Sequence, residues 1–241
     1  MEQSTGRLGG LGISLQNAPR IVRKAALHGM YDYDIENCHY AIFSHLAKQY
    51  GAPCLAIDSY LAKKSETREG IARRVGITVD QVKTALLALM FGSPLSPRKE
   101  NAIPQAIGRD KAFQLYKDDE FLAIANDIKA GRKIILANWP DRTSRTLKNS
   151  MGKTISVKET SAKKLAHILQ GIEASALRAV LGVFGEVIVL PIHDGFVSSV
   201  PLNVEHVEQI ILEATGIPLK VAGERISIPA NLEFTKLLKA A

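Results

Sequence analysis

The chain has 241 residues, of which 46% are hydrophobic and 23% charged, so it has the composition of a globular protein with a sizeable core, which excludes a disordered chain. Its formal net charge of +7 at pH 7 favours a polyanionic partner such as nucleic acid. Its two cysteines, Cys38 and Cys54, are too few for a disulfide framework, and no cluster of His and Cys predicts a zinc site.

These features predict a reducing, cytoplasmic location, either at a nucleoid or in a host cytoplasm if the chain is phage-encoded. The first ten residues lack a basic segment followed by an apolar one, so we expect no signal peptide. The most apolar helical stretch, residues 165–184, carries His167, Glu173 and Arg178. We therefore expect a buried helix there and no membrane partner.

Hydrophobic spacing and turn residues predict the elements of the first half of the chain. They are a glycine-rich structured loop at 4–20, a short strand at 30–34 with an acidic end, a helix at 38–50 and two short helices within 53–75. Thr78 is a good N-cap, with Asp80 in the first turn, for a helix that runs to Phe91. Gly92 and the two prolines that follow it end that helix.

The second half predicts a helix at 109–131 ended by Gly131, a mixed basic stretch at 132–157, an apolar helix at about 160–183, a helix at about 203–215 and a strand at about 218–222. Between the last two helices, an apolar run leads into His193-Asp194, and a second β-prone run follows. This pattern predicts a tight hairpin with a carboxylate at its turn, which suits a hard cation such as Mg²⁺. The alternative interpretation is a polar turn next to a buried strand without a metal, because it has the same sequence pattern.

Four separated segments, taken in order, resemble the family A (DNA polymerase I-like) DNA polymerases. They are Ser4-Thr-Gly-Arg-Leu8 with Leu15-Gln-Asn-Ala-Pro-Arg20, similar to the TGRL…LQN-P-R stretch at the entrance to the palm; Asp34-Ile-Glu-Asn-Cys-His-Tyr-Ala-Ile-Phe-Ser-His-Leu46, similar to motif A; Lys83 with Phe91-Gly92, similar to motif B; and His193-Asp194, similar to motif C. Gln170-Gly171 is a weaker match to the family's QG before motif C. Each motif is weak alone, and their shared order and spacing carry the resemblance.

The resemblance implies an α/β (α+β) fold, in which a right-hand polymerase palm with an antiparallel sheet carries an inserted helical fingers subdomain. We expect one catalytic module over residues 1–241, with the palm at 1–52 and 158–241 and the fingers at about 53–157. Neither a thumb nor an exonuclease domain is expected within it.

The resemblance also implies nucleotidyl transfer with two Mg²⁺ ions held by carboxylates from different strands. Asp34 and Asp194 are the implied catalytic metal ligands. Asp34 also suits a helix N-cap, and Asp32 competes with it for the metal, but Asp34 keeps His45-Leu46 in register with the family's His-Leu. Gly195 stands where the family has a second acid, which the related RNA polymerases also lack.

Lys83 is the implied cation for the triphosphate of the incoming nucleotide, since a lysine presents a compact positive charge to phosphate oxygens. The alternative interpretation of Lys83 is an ordinary lysine on the solvent-exposed face of a helix. The family has an arginine one turn earlier, where this chain has Val79. Arg73 or Arg74 is a candidate substitute from the preceding helix.

Phe91 and His39 are the implied nucleotide-binding residues that bear on the choice of sugar. Phe91 takes the family's aromatic position, where a ring stacks on a base or sugar, but lacks the hydroxyl with which RNA polymerases recognise a ribose 2′-OH. His39 takes the position of the DNA polymerases' steric-gate Glu. Its bulk favours dNTPs, although an imidazole also has hydrogen-bonding capacity for a 2′-OH.

A further set of residues is implied to contact primer–template DNA, where minor-groove acceptors on every base pair allow geometry to be checked without reading sequence. The set consists of Arg7, Gln16, Asn17, Arg20, Gln170 and His193. The alternative for its N-terminal members is an ordinary glycine-rich loop with solvated arginines. The basic stretch 142–153 either follows phosphates or is a solvated face.

The expected partners are primer–template DNA and dNTPs. Only three residues precede Ser4, where family A enzymes carry a thumb. We therefore expect a second polypeptide that supplies it, a split gene or very low processivity. The leading hypothesis is a template-directed DNA polymerase; the alternatives are a single-subunit-type RNA polymerase or primase, and a non-catalytic DNA-binding subunit of a replication complex.

Overall fold

The computed structural model describes residues 3–7 and 15–227 of the chain. After a 3₁₀ turn at Leu15–Asn17, the helices in this part are α1 (Arg20–Ala26), α2 (Cys38–Gln49), α3 (Leu55–Ala62), α4 (Lys64–Val75), α5 (Val79–Met90), α6 (Ala102–Ile107), α7 (Arg109–Leu115), α8 (Asp119–Asn138), α9 (Ser161–Phe184) and α10 (Val204–Thr215). The strands are β1 (Tyr31–Ile35), β2 (Thr146–Lys148), β3 (Thr154–Ser156), β4 (Ile188–Ile192), β5 (Gly195–Ser198) and β6 (Val221–Arg225).

Four strands form an antiparallel sheet in the order β4-β5-β1-β6. The central strand β1 pairs with β5 on one side and with β6 on the other. Tyr33 and Ile35 of β1 are buried while Asp34 between them is exposed, as the two-residue period of a strand requires. The expected α/β class with an antiparallel sheet is therefore confirmed.

The chain divides into two compact units. The first comprises Met1–Cys38, Lys148–Thr154 and Gln170–Ala241, and the second comprises His39–Leu147 and Ile155–Leu169. The four-stranded sheet belongs to the first unit, and helices α3 to α8 belong to the second. The division into palm and fingers at residues 53 and 157 stays a prediction.

In the first unit, two rings on neighbouring strands anchor the core beside the sheet. Tyr33 and Phe196 are directly opposite each other on β1 and β5, and their rings stack with centroids 5.0 Å apart. The Tyr33 hydroxyl accepts a hydrogen bond from the backbone nitrogen of Leu202 at 2.6 Å. Leu177 and Val180 of α9 and Ile211 of α10 are buried in the same unit. This packing fixes the position of β1 in the sheet.

In the second unit, α2 and α8 pack closely at Gly131. A Cβ atom at Gly131 would lie 2.6 Å from Cζ of Phe43, so only a glycine allows this approach. The predicted helix end at Gly131 is therefore wrong, because this glycine serves helix packing within α8, which continues to Asn138.

Other predicted boundaries also need correction. The helix expected at 109–131 is two helices, since Asp118 caps the N-terminus of α8 by accepting from the backbone nitrogen of Phe121 at 3.0 Å. The predicted loop 4–20 ends in α1, and α6 was not predicted. The strand expected at about 218–222 is β6 at Val221–Arg225, which begins and ends later. None of the helices in the described part of the chain has the length and apolar character of a membrane span.

Candidate active site and nucleic-acid interface

Asp34 and Asp194 lie next to each other at one end of the four-stranded sheet. Asp34 of β1 is directly opposite Gly195, the first residue of β5. His193 and Asp194 form the turn between β4 and β5, and the backbone nitrogen of Ile35 donates to the carbonyl of Asp194 at 2.8 Å. Directly opposite residues in an antiparallel pair lie roughly 5 Å apart, and Asp194 immediately precedes Gly195, so this register brings the backbones of two aspartates from distant parts of the sequence into neighbouring positions.

Asp32 lies on the same strand but farther from the turn. It is opposite Val197 of β5 and Glu224 of β6, two residues along β1 from Asp34. Two residues of strand span about 7 Å. The register therefore favours Asp34 over Asp32 as the partner of Asp194.

Gly195 has no room for a side chain. A Cβ atom there would lie 2.3 Å from the carbonyl oxygen of Tyr33 and 3.2 Å from Cα of Asp34. Both are backbone atoms of the central strand, so neither gives way easily. This contact is a physical reason why the position after Asp194 carries no second acid in this chain.

Cys38, at the start of α2, lies within electrostatic reach of the two aspartates. Its thiol is buried, and burial raises its pKa well above the ordinary value, with Glu173, Asp194 and Asp34 adding to the rise while Arg7 opposes it. The thiol therefore stays protonated and unreactive at neutral pH. The position of Cys38 beside the two aspartates was not predicted, because a single cysteine in a helix has no distinctive spacing.

The first unit holds oxygen ligands of the kind that Mg²⁺ prefers. Asp34 and Asp194 offer two carboxylates, and Mg²⁺ in phosphoryl-transfer sites is bound by one or two carboxylates, with water and substrate phosphates filling the remaining positions. Among the described residues, no group of three or more His, Cys, Asp or Glu side chains is arranged to hold a metal ion. The donors present fit a magnesium site that is completed by substrate.

Arg7 is held by Glu173 of α9. Nε and Nη2 of Arg7 donate to the two carboxylate oxygens of Glu173, each at 2.6 Å. The Glu173 side chain is only 1% exposed, so this pair is largely shielded from water. The geometry fixes one edge of the guanidinium, while the DNA contact implied for Arg7 stays a prediction.

Asn149 organises the segment around Arg7 and was missed by the sequence analysis. Its buried side chain donates to the carbonyl of Thr5 at 3.0 Å and accepts from the backbone nitrogens of Met151 and Lys153. A Cβ atom at Gly171 would lie 2.6 Å from Asn149, which gives the glycine of Gln170-Gly171 a packing role. A glycine inside a segment of strong helical pattern indicates close packing, and this was the sequence signal for the contact.

The other residues implied to contact DNA are distributed along the first unit. Gln16 donates through Nε2 to the carbonyl of Pro191 at 3.2 Å, which ties the 3₁₀ turn to β4. Asn17 and His193 are exposed, and Gln170 is half-buried on α9. Residues 8–14 and the side chain of Arg20 lie outside the described residues.

In the second unit, His39 and Phe91 are brought into contact. The edge of one ring meets the face of the other, with centroids 5.0 Å apart and planes at 78°. His39 lies in the first turn of α2, and Phe91 is the C-cap of α5. Two residues that the sequence assigned to the same nucleotide therefore touch each other.

Phe91 is fixed by the way α5 ends. The backbone nitrogen of Ser93 donates to Ala88 and that of Gly92 to Leu89, the paired bonds of a Schellman motif. Gly92 adopts a φ of +91°, and a Cβ atom there would lie 2.3 Å from Cβ of Ala162. Both constraints require glycine after Phe91.

Lys83 is exposed near the middle of α5, which begins with a complete capping box between Thr78 and Gln81. Arg74 is engaged elsewhere, since it donates to Asp118 at 2.6 Å and to Glu120 at 2.8 Å. These hydrogen bonds raise the pKa of Arg74 and hold its guanidinium. The prediction that Arg74 replaces the missing arginine at Val79 is therefore disfavoured, and the exposed Arg73 stays the candidate.

Comparison with known proteins identifies a fold relative. No family model and no curated protein matches the chain. Among solved structures, the chain is similar to the POL domain of Pol1 from M. smegmatis in complex with DNA primer-template and dNTP, with a TM-score of 0.56 and 18% identity over 92% of this chain. The chain has a polymerase-like fold.

The likeness covers 45% of the M. smegmatis chain, so this polymerase-like chain spans less than half of its neighbour's length. At 18% identity it establishes the fold alone. The neighbour's description names DNA and dNTP and gives no support for a second polypeptide.

Proposed function

We propose that this chain is a family A type, template-directed DNA polymerase that adds dNTPs to a primer 3′-hydroxyl. The observation that carries the proposal is the register that puts Asp34 beside the Asp194 turn in a chain with a polymerase-like fold. A binding module has no need of two adjacent carboxylates at a sheet end, whereas phosphoryl transfer through two metal ions does.

In this proposal, Asp34 and Asp194 would hold two Mg²⁺ ions, and the chemistry that the ions would supply there is Lewis-acid stabilisation of charge in phosphoryl transfer. Lys83 neutralises charge on the triphosphate, and Phe91 stacks on the incoming nucleotide with His39 against its ring. Arg7, Gln16, Asn17, Arg20, Gln170 and His193 position primer–template DNA. The +7 charge of the chain supports such a polyanionic partner.

A single-subunit-type RNA polymerase or primase is the second candidate, supported by the absence of a second acid at Gly195. The contact of Gly195 with the Tyr33 backbone gives that absence a structural cause, so it does not by itself favour RNA synthesis. The missing hydroxyl of Phe91 supports deoxynucleotides.

The test is extension of a labelled primer on a DNA template by the purified full chain with Mg²⁺. We expect template-dependent extension with dNTPs and weaker extension with NTPs. Preferential use of NTPs would favour the RNA polymerase, and DNA binding without any incorporation would favour the non-catalytic subunit. Omission of Mg²⁺ and a template with one altered base are the controls for metal and template dependence.

A further inference from the structure

Arg132 on α8 is a half-buried cation placed beside the end of α5. Its Nη1 atom lies 3.6 Å from the position that a Cβ atom would take on Gly92, the residue after Phe91. Its Nε atom is buried and has no hydrogen-bond partner among the described residues. The hydroxyl of Ser93, also next to Gly92, is likewise buried without a partner in that part of the chain.

In the part of the chain that the structure describes, no carboxylate compensates for the burial of Arg132. Burial lowers the pKa of its guanidinium, and no neighbouring acid acts in the opposite direction. Two arginines of this unit differ, since Arg74 binds Asp118 and Glu120, and Arg68 binds the hydroxyl of Tyr60. Burial of a charge without a partner is costly, which makes a second function for Arg132 worth testing.

Capping of α5 does not supply that reason. The carbonyls of Leu87, Ala88 and Leu89 already accept hydrogen bonds from the backbone nitrogens of Phe91, Ser93 and Gly92. The Schellman motif therefore satisfies the end of the helix without Arg132. Among the described residues, Arg132 therefore neither caps α5 nor pairs with an acid, which leaves donors of its guanidinium for an external anion.

We propose that Arg132, together with the Ser93 hydroxyl, binds a phosphate group of the nucleotide or nucleic acid that stacks at Phe91. This proposal rests on the proposed function, because Phe91 is assigned to the nucleotide there. A guanidinium presents several donors to phosphate oxygens, and a serine hydroxyl adds one more, so the pair matches a phosphate in donor chemistry. The phosphate belongs either to the incoming dNTP or to a DNA strand.

The test compares Arg132→Met, which keeps side-chain length but removes the charge, with Arg132→Lys, which keeps the charge. Lys133→Met is the matched control, since Lys133 is the exposed neighbour on the same helix. For each full-length variant, thermal unfolding, the KM for dNTP and the affinity for primer–template DNA at several salt concentrations are measured. Because Arg132 has no hydrogen-bond partner to lose among the described residues, we expect the Tm of Arg132→Met to equal or exceed that of the parent.

If the phosphate is that of dNTP, Arg132→Met raises KM about 10-fold at unchanged DNA affinity, as loss of a charged hydrogen bond predicts. If it belongs to DNA, the salt slope of DNA affinity falls by about one while KM is unchanged. Arg132→Lys keeps part of either effect, and Lys133→Met shows neither. If the parent extends primers and Arg132→Met matches it in every measurement, this inference is overturned and the proposed function stands. A Tm several degrees lower in Arg132→Met also overturns this inference. A parent that neither binds DNA nor extends a primer overturns the proposed function as well.

Discussion

The imidazole of His39 packs edge to face against the ring of Phe91, with centroids 5.0 Å apart. The two residues come from the start of α2 and the end of α5, and the Schellman motif fixes the end of α5. Edge-to-face pairs of this kind stabilise a single relative orientation of the rings. His39 and Phe91 therefore form one wall, so a change in either residue affects the same surface.

This wall leads to a prediction about sugar choice. His39→Gly is expected to reduce the preference for dATP over ATP about 10-fold, because it removes the bulk that opposes a 2′-OH. Phe91→Tyr should shift the preference in the same direction by adding a hydroxyl that can bond to the ribose. The measurement is kcat/KM for each nucleotide.

The control for His39→Gly is His45→Gly, which places the same flexible residue elsewhere in α2. Both carry the helix penalty of glycine, roughly 1 kcal/mol. Only His39→Gly should change the ratio of the two kcat/KM values. A parent enzyme that prefers ATP would reverse the assignment of the wall.

Asp34→Asn and Asp194→Asn are each expected to lower incorporation by about 10³-fold or more, since amides neither carry the charge nor bind Mg²⁺ as carboxylates do. Circular dichroism and thermal unfolding should match the parent, because asparagine keeps the shape of the side chain. Asp32→Asn is the matched control on β1 and should retain most activity. Full activity of Asp34→Asn with loss in Asp32→Asn would transfer the metal role to Asp32.

DNA affinity should fall steeply with salt. Each phosphate contact releases counterions and contributes about −0.9 to the slope of log K against log salt concentration. With a formal charge of +7, we expect several such contacts and weak binding at physiological salt. Fluorescence anisotropy of a labelled primer–template between about 50 and 200 mM salt tests this. Tight binding that does not change with salt would contradict an electrostatic interface.

The parts of the fold that local signals encode were predicted well. The helix α5 starts at Val79 after its Thr78 cap and ends at Met90 before Phe91-Gly92, as the cap and the glycine indicated. The hairpin at His193-Asp194 also has its predicted form, because an apolar run, a polar turn and a second β-prone run are adjacent in sequence. These features depend on neighbours within a few residues.

The features that were missed depend on contacts between distant segments. Gly131 looks like a helix end until Phe43 is known to pack against it. Arg7 was predicted to contact DNA, and its pairing with Glu173 has no local signature because the two residues are 166 positions apart in the sequence. The bond from Asn149 to the carbonyl of Thr5 likewise joins segments that are 144 positions apart in the sequence.

The capping carboxylate Asp118 should make stability depend on pH. Burial raises the pKa of Asp118, whereas hydrogen bonds from Arg74 and from the Phe121 backbone lower it. The lowering is the larger effect, so the pKa lies below the ordinary 3.8. A depressed pKa contributes stability above the unfolded value, and that contribution is lost as the pH falls through the folded value. Asp118→Asn keeps the cap and removes the charge, which should cost about 1 kcal/mol at pH 7.

The measurement for Asp118→Asn is urea unfolding at pH 7 and again near the lowest pH at which the parent stays folded. The difference between parent and variant should shrink at the lower pH, because Asp118 is then increasingly protonated in the parent. Asp119→Asn, an exposed neighbour in the first turn of α8, should have a smaller effect at both pH values. If the loss of unfolding free energy in Asp118→Asn does not change with pH, the loss comes from the cap geometry and not from the charge.

Gly195→Ala tests whether the contact between β5 and β1 sets the position of Asp34. The new methyl carbon would lie 2.3 Å from the carbonyl oxygen of Tyr33, so either β1 or the hairpin must move. We expect a loss of about 1–3 kcal/mol in the free energy of unfolding, as for overpacked sites, together with reduced incorporation because Asp34 shifts relative to Asp194. Gly182→Ala is the matched control, since nothing lies within 4 Å of a Cβ atom there and alanine favours the helix. A Gly195→Ala variant with parental stability and activity would mean that the hairpin adapts freely and does not fix the two carboxylates.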